Sequence, residues 1–446
     1  VVSLDTTLES KAAGSPATMK NCKAAGSPAT KKNCKAAGSP ATKKVNNAAG
    51  SPATKKTSIK GGREKRKYDS QDDDEEWAAK TAEKLLQEYA DVICDNEEVL
   101  KPMTCPPLRI ELKEGAIPFV QRGPRSMPLA YEKAAKEELD KLEAAGIISK
   151  VEEPTDWVHP LLVQPKKGGR VRICVDLTKL NKWVKRPFYP MRTPAEVLDR
   201  LPSKAKYYTT MDAMKGYFQL ELDEESRPYT TFITSFGRYM FNRGPMGLAS
   251  SQDVYDRVGD EALEGLDRTG KLRDDIIVAG QTREEHETDV RAVLDRCRRA
   301  GITISKEKFV FGKQKVRFVG VEVSTDGISA DPNKIDAIQN FPTPNTQRDL
   351  RSFLGLANQL GGFTPLMSEA CGPLRPLLRK SGTFRWTSDH ERAFKEVKRV
   401  LQSPAVLIPF DVEKPTRLLT DASRLHGIGY VLQQYTKEGS ESDEGV

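Results

Sequence analysis

Long apolar runs are missing from this chain of 446 residues. None approaches the roughly 20 residues that a membrane-spanning helix needs, so no membrane partner is expected. The seven cysteines are dispersed and odd in number, and no Cys-X-X-Cys pair occurs among them. Neither a zinc knuckle nor a disulfide framework is indicated, and a reduced, intracellular compartment is expected. Only four histidines are present, His159, His286, His390 and His426, and they lack the spacing of a His/Cys metal site. An Asp-Thr/Ser-Gly motif is absent too, which excludes an aspartic protease. The first ten residues, VVSLDTTLES, carry no signal-peptide pattern and no initiator methionine. A fragment, or a piece of a longer polyprotein, is therefore expected.

Arginine is absent from residues 1–60, which hold eleven lysines against Asp5 and Glu9. That surplus of +9, taken from the formal +8 of the whole chain, leaves −1 for everything else. The basic balance belongs to this tail, so only local patches in the rest can argue for polyanion binding. The tail is a repeat: AAGSPAT starts at Ala12, Ala24, Ala36 and Ala48. Such units bury too little apolar surface to offset chain entropy, so disorder is expected. Two readings stay open for it, a lysine-rich arm that holds polyanions and an expanded repeat without a role.

A charge run, 61–77, reads as a solvated linker. Helical spacing follows over Glu76–Ile93 (Ala78, Ala82, Leu85, Tyr89, Val92) and over Tyr131–Ala145, stopped by Gly146. From Trp157 the texture changes to short strands. LLVQPKKGGRVRICVDL reads as strand, Lys-Gly turn, strand. A helix over 284–300 ends at Gly301, and strand-like VRFVGVEV follows. After Asp331 the chain is mostly helical, until TRLLTDASRLHGIGYVLQQ returns to strand–turn–strand. Blocks of unequal kind point to α+β and not to a doubly wound sheet.

Carboxylates carry the chemistry. A β-rich run, Tyr207 to Met211, ends at Asp212, and KLRDDIIVAG sets Asp274 and Asp275 at the mouth of an apolar strand. Brought together, the three suit two Mg²⁺ ions, or Mn²⁺ in their place, in phosphoryl transfer. Alone, an Asp-Asp pair at a turn is more often solvated than catalytic. From Lys166 to Arg192 nine basic residues face one acid, Asp176, which is the local patch the net charge could not supply. A solvated basic hairpin is the plainer reading of that patch.

From about Pro107 to Gln434 the sequence resembles the reverse transcriptase region of gypsy-type LTR retrotransposon Pol polyproteins. The likeness rests on ordered blocks: WVHPLLVQPKKGGRVRICVDLTKLNKWV, KYYTTMDAMKGYFQLEL, TTFITSFGRYMFNRGPMGLASSQDVYDRV, KLRDDIIVAG and GITISKEKFVFGKQKVRFVGVEVS. It implies an RNA-directed DNA polymerase with Asp212 and Asp274 as principal metal ligands and Asp275 in support. Tyr217 would be the gate against a ribose 2′-hydroxyl. Arg172 would contact the triphosphate, with Lys167 a second contact and Lys166 the competing choice. Met246 and Gly247 would line the nucleotide pocket. Lys308 would either protonate pyrophosphate or be an ordinary surface lysine. Phe318, Val319 and Gly320 would form the primer grip. FRWTSDHERAFKEVKRVLQSPAVLIPFD and LLTDAS resemble the entry to an RNase H domain, with Asp421 its first metal aspartate. No RNase H activity is expected from the few residues that follow Asp421.

The expectation is a right-hand α+β polymerase of fingers, palm and thumb, with a disordered tail and a truncated RNase H-like fragment. Its parts would be 1–75 tail and linker, 76–150 helical extension, 151–325 fingers and palm, 326–410 thumb or connection, and 411–446 RNase H-like. Expected partners are a template–primer and deoxynucleoside triphosphates, in a cytoplasmic particle or the nucleus. The rival is a decayed, inactive nucleic-acid-binding relic. It rests on Leu272 and Arg273, where the family has tyrosine and a small or apolar residue, and on the chain's ends.

Overall fold

The computed structural model describes residues 62–96, 100–364, 366–379, 384–402, 407, 414–423 and 427–434. The AAGSPAT repeats, expected to be disordered, lie outside them. The chain divides into two units, Val2–Ser70 and Gln71–Val446; of the first, only the helical residues from Gly62 onward are described.

The charge run expected to be a linker is instead helical, within a helix Gly62–Glu88. Lys, Arg, Glu and Gln are good helix formers, and no glycine or proline interrupts the run after Gly62. Glu76 and Lys80 add an ion pair at the favourable i,i+4 spacing, 2.5 Å apart. The next long helix, Leu129–Ala144, buries Ala135, Leu139 and Leu142 on one face and gives way at Gly146, where φ is +65°.

Strands follow in chain order: β1 (Ile148–Lys150), β2 (His159–Pro165), β3 (Val171–Val175), β4 (Tyr207–Asp212), β5 (Phe232–Thr234) and β6 (Gly237–Phe241). After them come β7 (Thr269–Leu272), β8 (Asp275–Gly280), β9 (Val310–Lys313), β10 (Lys315–Phe318), β11 (Val321–Ser324) and β12 (Gly327–Ala330). The last two are β13 (Thr416–Ser423) and β14 (Gly427–Gln434). They assemble into sheets of order β1-β6-β5-β2-β3, β7-β8-β4-β9, β10-β11-β12 and β13-β14. The fold is mixed α+β.

The sheet β7-β8-β4-β9 is covered on both faces, which explains why β8 reads as an unbroken apolar run. Ile276 and Val278 join the main core, whereas Ile277 and Ala279 join a second cluster with Val197, Leu198, Val316 and Phe318. The helix Arg283–Ala300 is part of that main core. Thr282 caps it by accepting from the Glu285 N–H, it buries His286, Val290, Val293, Leu294 and Cys297, and it stops at left-handed Gly301. Residues beyond Ala330 form a third core of their own, built on Leu350, Phe353, Phe394 and Val397. Among the described residues no helix is long and apolar enough to cross a membrane.

Candidate active site at the β7–β8 hairpin

Antiparallel pairing sets the three aspartates side by side. Asp212, the last residue of β4, lies opposite Asp275, the first of β8, and Asp275 also faces Leu272 of β7. Arg273 and Asp274 are thus the two loop residues of a tight hairpin. Arg273 has φ +55°, a region that side chains other than glycine enter at a cost of about 1–3 kcal/mol. The Asp274 carbonyl accepts from the Ala213 N–H at 2.8 Å, which ties the loop to the end of β4.

Beneath the loop space is tight. A Cβ on Gly216 would collide with Asp274 Oδ1 and with the ring of Tyr255, whose Cζ would be 2.6 Å away. Asp274 Oδ1 is buried and has no hydrogen-bond partner, although the Tyr255 hydroxyl lies near enough to favour the anion slightly. Burial, then the charges of Asp212 and Asp275, raise Asp274 to about 6, against a small opposing pull from Tyr255 and Lys271. Asp275 is raised by burial and by Asp212. Two carboxylates, Asp274 and Asp275, whose charge is disfavoured by burial and by the Asp212 carboxylate beside them suit a divalent cation. Among the described residues no group of three or more His, Cys, Asp or Glu side chains forms a ready-made metal site.

Two cations stand near. Lys308 Nζ lies 2.8 Å from Asp212 Oδ1, so geometry brings this exposed lysine to the aspartates. Lys271 is buried between Asp256, 3.6 Å from its Nζ, and Asp260, 3.2 Å away. Arg273 points elsewhere: its Nε approaches Met191 Sδ at 3.5 Å. The concern that its cation competes for Asp274 loses its basis. Leu272 is buried in the cluster behind β8, an aliphatic where the family has tyrosine.

Tyr217 is half-buried and meets Tyr255 edge-on, with centroids 5.5 Å apart. Burial first, then Asp274 and Asp256, push its hydroxyl up to about 12. Met246 is half-buried against the main core, and Gly247 adopts φ +92°. Asn181 clamps this loop: its Nδ2 donates to the Gly247 carbonyl at 2.7 Å and its Oδ1 accepts from the Ala249 N–H at 2.9 Å. Arg172 is exposed on β3 opposite Gln164, next to a turn in which Gly168 and Gly169 both have positive φ. The Lys167 side chain lies outside the described residues. Phe318 is buried at the end of β10, and Val319 and Gly320 form the tip of the β10–β11 hairpin. Asp421 stands on β13 opposite Gly429, its side chain outside the described residues.

The structure therefore brings Asp212, Asp274, Asp275, Tyr217 and Lys308 together. Arg172, Met246, Gly247 and Phe318–Gly320 are joined to the aspartates by no hydrogen bond or ion pair among the described residues. Sequence reasoning passed over Gly216, Tyr255, Lys271, Asn181 and Gln219. Gly216, in KGYF, carried a signal, since a lone glycine beside β-forming residues often marks a close approach.

Residues 164–323 match the family described as reverse transcriptase (RNA-dependent DNA polymerase). The chain carries a reverse transcriptase domain. Residues 386–442 match the RNase H-like domain found in reverse transcriptase. Among curated relatives, the Drosophila melanogaster Pol polyprotein from transposon 412 is 30% identical over 79% of this chain and 29% of its own length. The gypsy polyprotein of the same fly is 32% identical over 67% of this chain and 30% of its own. This chain thus spans under a third of these relatives. A foamy viral protease–reverse transcriptase, solved in complex with double-stranded DNA, superposes with TM-score 0.71 at 24% identity, over 79% of this chain and 64% of that one. The same viral protein solved with an RNA/DNA hybrid gives TM-score 0.70, over 79% and 49%. These likenesses show the fold.

Proposed function

We propose that this chain is an RNA-directed DNA polymerase that extends a primer 3′-hydroxyl with deoxynucleoside triphosphates. The observation that carries the proposal is the hairpin that sets Asp274 and Asp275 against Asp212, with Asp274 Oδ1 buried beside Gly216 and Tyr255. Asp212 and Asp274 would hold two Mg²⁺ ions, with Asp275 in support. When bound, the ions would activate the 3′-hydroxyl and offset charge on the leaving pyrophosphate.

The chain's own residues supply position and charge. Lys308, already beside Asp212, is placed to hold or protonate a phosphate oxygen of the leaving group. Tyr217 would close one side of the nucleotide pocket and exclude a ribose 2′-hydroxyl. Met246 and Gly247 would line the pocket, on a loop that Asn181 fixes. Arg172, exposed beside the Gly168-Gly169 turn, would fork onto a phosphate, with Lys167 beside it. Phe318, Val319 and Gly320 would seat the primer end by packing. A template–primer partner is supported by the viral relatives, which were solved with double-stranded DNA and with an RNA/DNA hybrid.

Primer extension on poly(rA)/oligo(dT) with Mg²⁺ or Mn²⁺ tests the reading. Extension is expected from the unaltered chain. Template–primer binding without extension would overturn it and favour an inactive relic.

A further inference from the structure

Gln219 lies two residues beyond Tyr217, in the 3₁₀ turn Gly216–Gln219, and is fully buried. Both donors of its side-chain amide and one lone pair of its oxygen are used. Nε2 donates to the Met214 carbonyl at 2.8 Å and to the Thr303 carbonyl at 3.0 Å, and Oε1 accepts from the Thr303 N–H at 2.9 Å. Its own carbonyl accepts from the Met103 N–H at 2.7 Å. The Met214 N–H also donates to the Thr303 carbonyl, at 2.9 Å. Thr303 thereby stitches the start and the end of the Tyr217 turn to one strand-like stretch.

That stretch is the one that serves the aspartates. Two residues on, the Ser305 N–H donates to the Asp212 carbonyl at 2.8 Å, and Lys308 reaches Asp212 with its ammonium. From the other side the turn is confined by Gly216 against Asp274 and Tyr255, and Lys215 enters it with φ +49°. A turn that holds a non-glycine residue at positive φ needs its surroundings to fix it. Only one side chain in the turn spends all its donors on that task, and it is Gln219.

We propose that Gln219 is a positioning residue for sugar selection: by bridging Met214 and Thr303 it fixes Tyr217 relative to Asp212. The inference rests on the reading of Tyr217 as the sugar gate. Gln219 touches no substrate. Its loss lets the turn relax and the Tyr217 ring withdraw, which admits a 2′-hydroxyl without removing the aspartates.

The test compares dGTP with GTP on poly(rC)/oligo(dG), using the full chain and working well below each variant's melting temperature. Gln219→Met keeps the volume and removes all three hydrogen bonds, and Gln219→Leu repeats the test with a branched side chain. The kcat/KM preference for dGTP should fall about tenfold in either, the loss expected when about 1.4 kcal/mol of positioning is removed. KM for GTP should fall while kcat for dGTP changes less. Tyr217→Ala should remove most of the preference. A melting temperature lowered with the dGTP preference intact, or loss of fold in both Gln219 variants, overturns the inference and leaves Gln219 a structural residue. An unchanged preference in Tyr217→Ala overturns the gate reading itself.

Discussion

Two hairpins face opposite demands. The β7–β8 tip, Arg273-Asp274, and the β10–β11 tip, Val319-Gly320, are both two-residue loops, since Leu272 pairs with Asp275 and Phe318 with Val321. Both place a side-chain-bearing residue at positive φ, +55° at Arg273 and +47° at Val319. They differ at the second position. Gly320 also has positive φ, the type I′ sign pattern, whereas Asp274 does not, which leaves the first loop with the type II′ pattern; both suit twisted strands. Each loop thus carries one strained residue, Arg273 in the loop that holds the Asp274 carboxylate and the β-branched Val319, which suffers more, in the other. Strain at the first loop is retained where chemistry is proposed, and what supports it is Gly216 below and Ala213 beside it.

Filling the space under the first loop should break the comparison hardest. Gly216→Ala forces a methyl group into Asp274 and Tyr255, and displacements of about 1 Å at such a centre cost about a hundredfold in rate. We expect primer extension to fall by about that factor. Gly355→Ala, in the helix Gln347–Gln359 with nothing within 4 Å of the added carbon, should leave extension unchanged. Equal losses in the two variants would mean that the loop floor is not special.

Acid should loosen the platform of the first hairpin. His286 is fully buried, its Nε2 is 2.7 Å from Thr209 Oγ1 on β4, and burial pulls its pKa down to about 4. An unfolded histidine titrates near 6.5, so between these values the unfolded chain binds the extra proton. The contribution is full above about pH 6.5 and is lost as pH falls towards 4, with about 2 kcal/mol gone by pH 5. Asp274 works in the other direction, because its raised pKa favours the folded state on acidification. Denaturant curves of the unaltered chain and His286→Gln, subtracted at pH 7 and pH 5, isolate the histidine. A pH-independent difference contradicts its neutral burial.

The smallest effects come from relieving the tips. Val319→Gly should stabilise by about 1 kcal/mol, the strain removed less the entropy glycine adds. Arg273→Gly should stabilise by less, because a β-branched residue suffers more at positive φ. Thermal melts that rank them the other way would place the greater strain at the first hairpin.

How much of this was legible in the sequence follows from the range of each signal. Asp212 at the end of a β-rich run, the Asp-Asp turn and the Gly301 helix stop are local patterns, and each appears where the sequence points. VRFVGVEV reads as one strand but folds as a hairpin, because a single glycine after valine is a weak turn signal. The charge run 61–77 reads as a linker, yet from Gly62 it is helical, because no proline or further glycine interrupts its Lys, Arg, Glu and Gln residues. Contacts made across long separations left no trace. Gln219 meets Thr303 84 positions away, and Lys271 meets Asp256 and Asp260 only because the helix Ala249–Ala262 brings them to it. The approach of Arg273 to Met191, 82 positions away, is of the same long-range kind.

One paired measurement bears most directly on the central claim, that the Asp274 carboxylate and not its neighbour Arg273 decides activity. Extension of oligo(dT) on poly(rA) with Mg²⁺ is compared for the unaltered chain, Asp274→Asn and Arg273→Ala, with template–primer affinity measured alongside. Affinity should be kept in all three, extension should fall by at least about a thousandfold in Asp274→Asn, and extension should stay within a few-fold of the unaltered chain in Arg273→Ala. Extension that survives Asp274→Asn would contradict that claim.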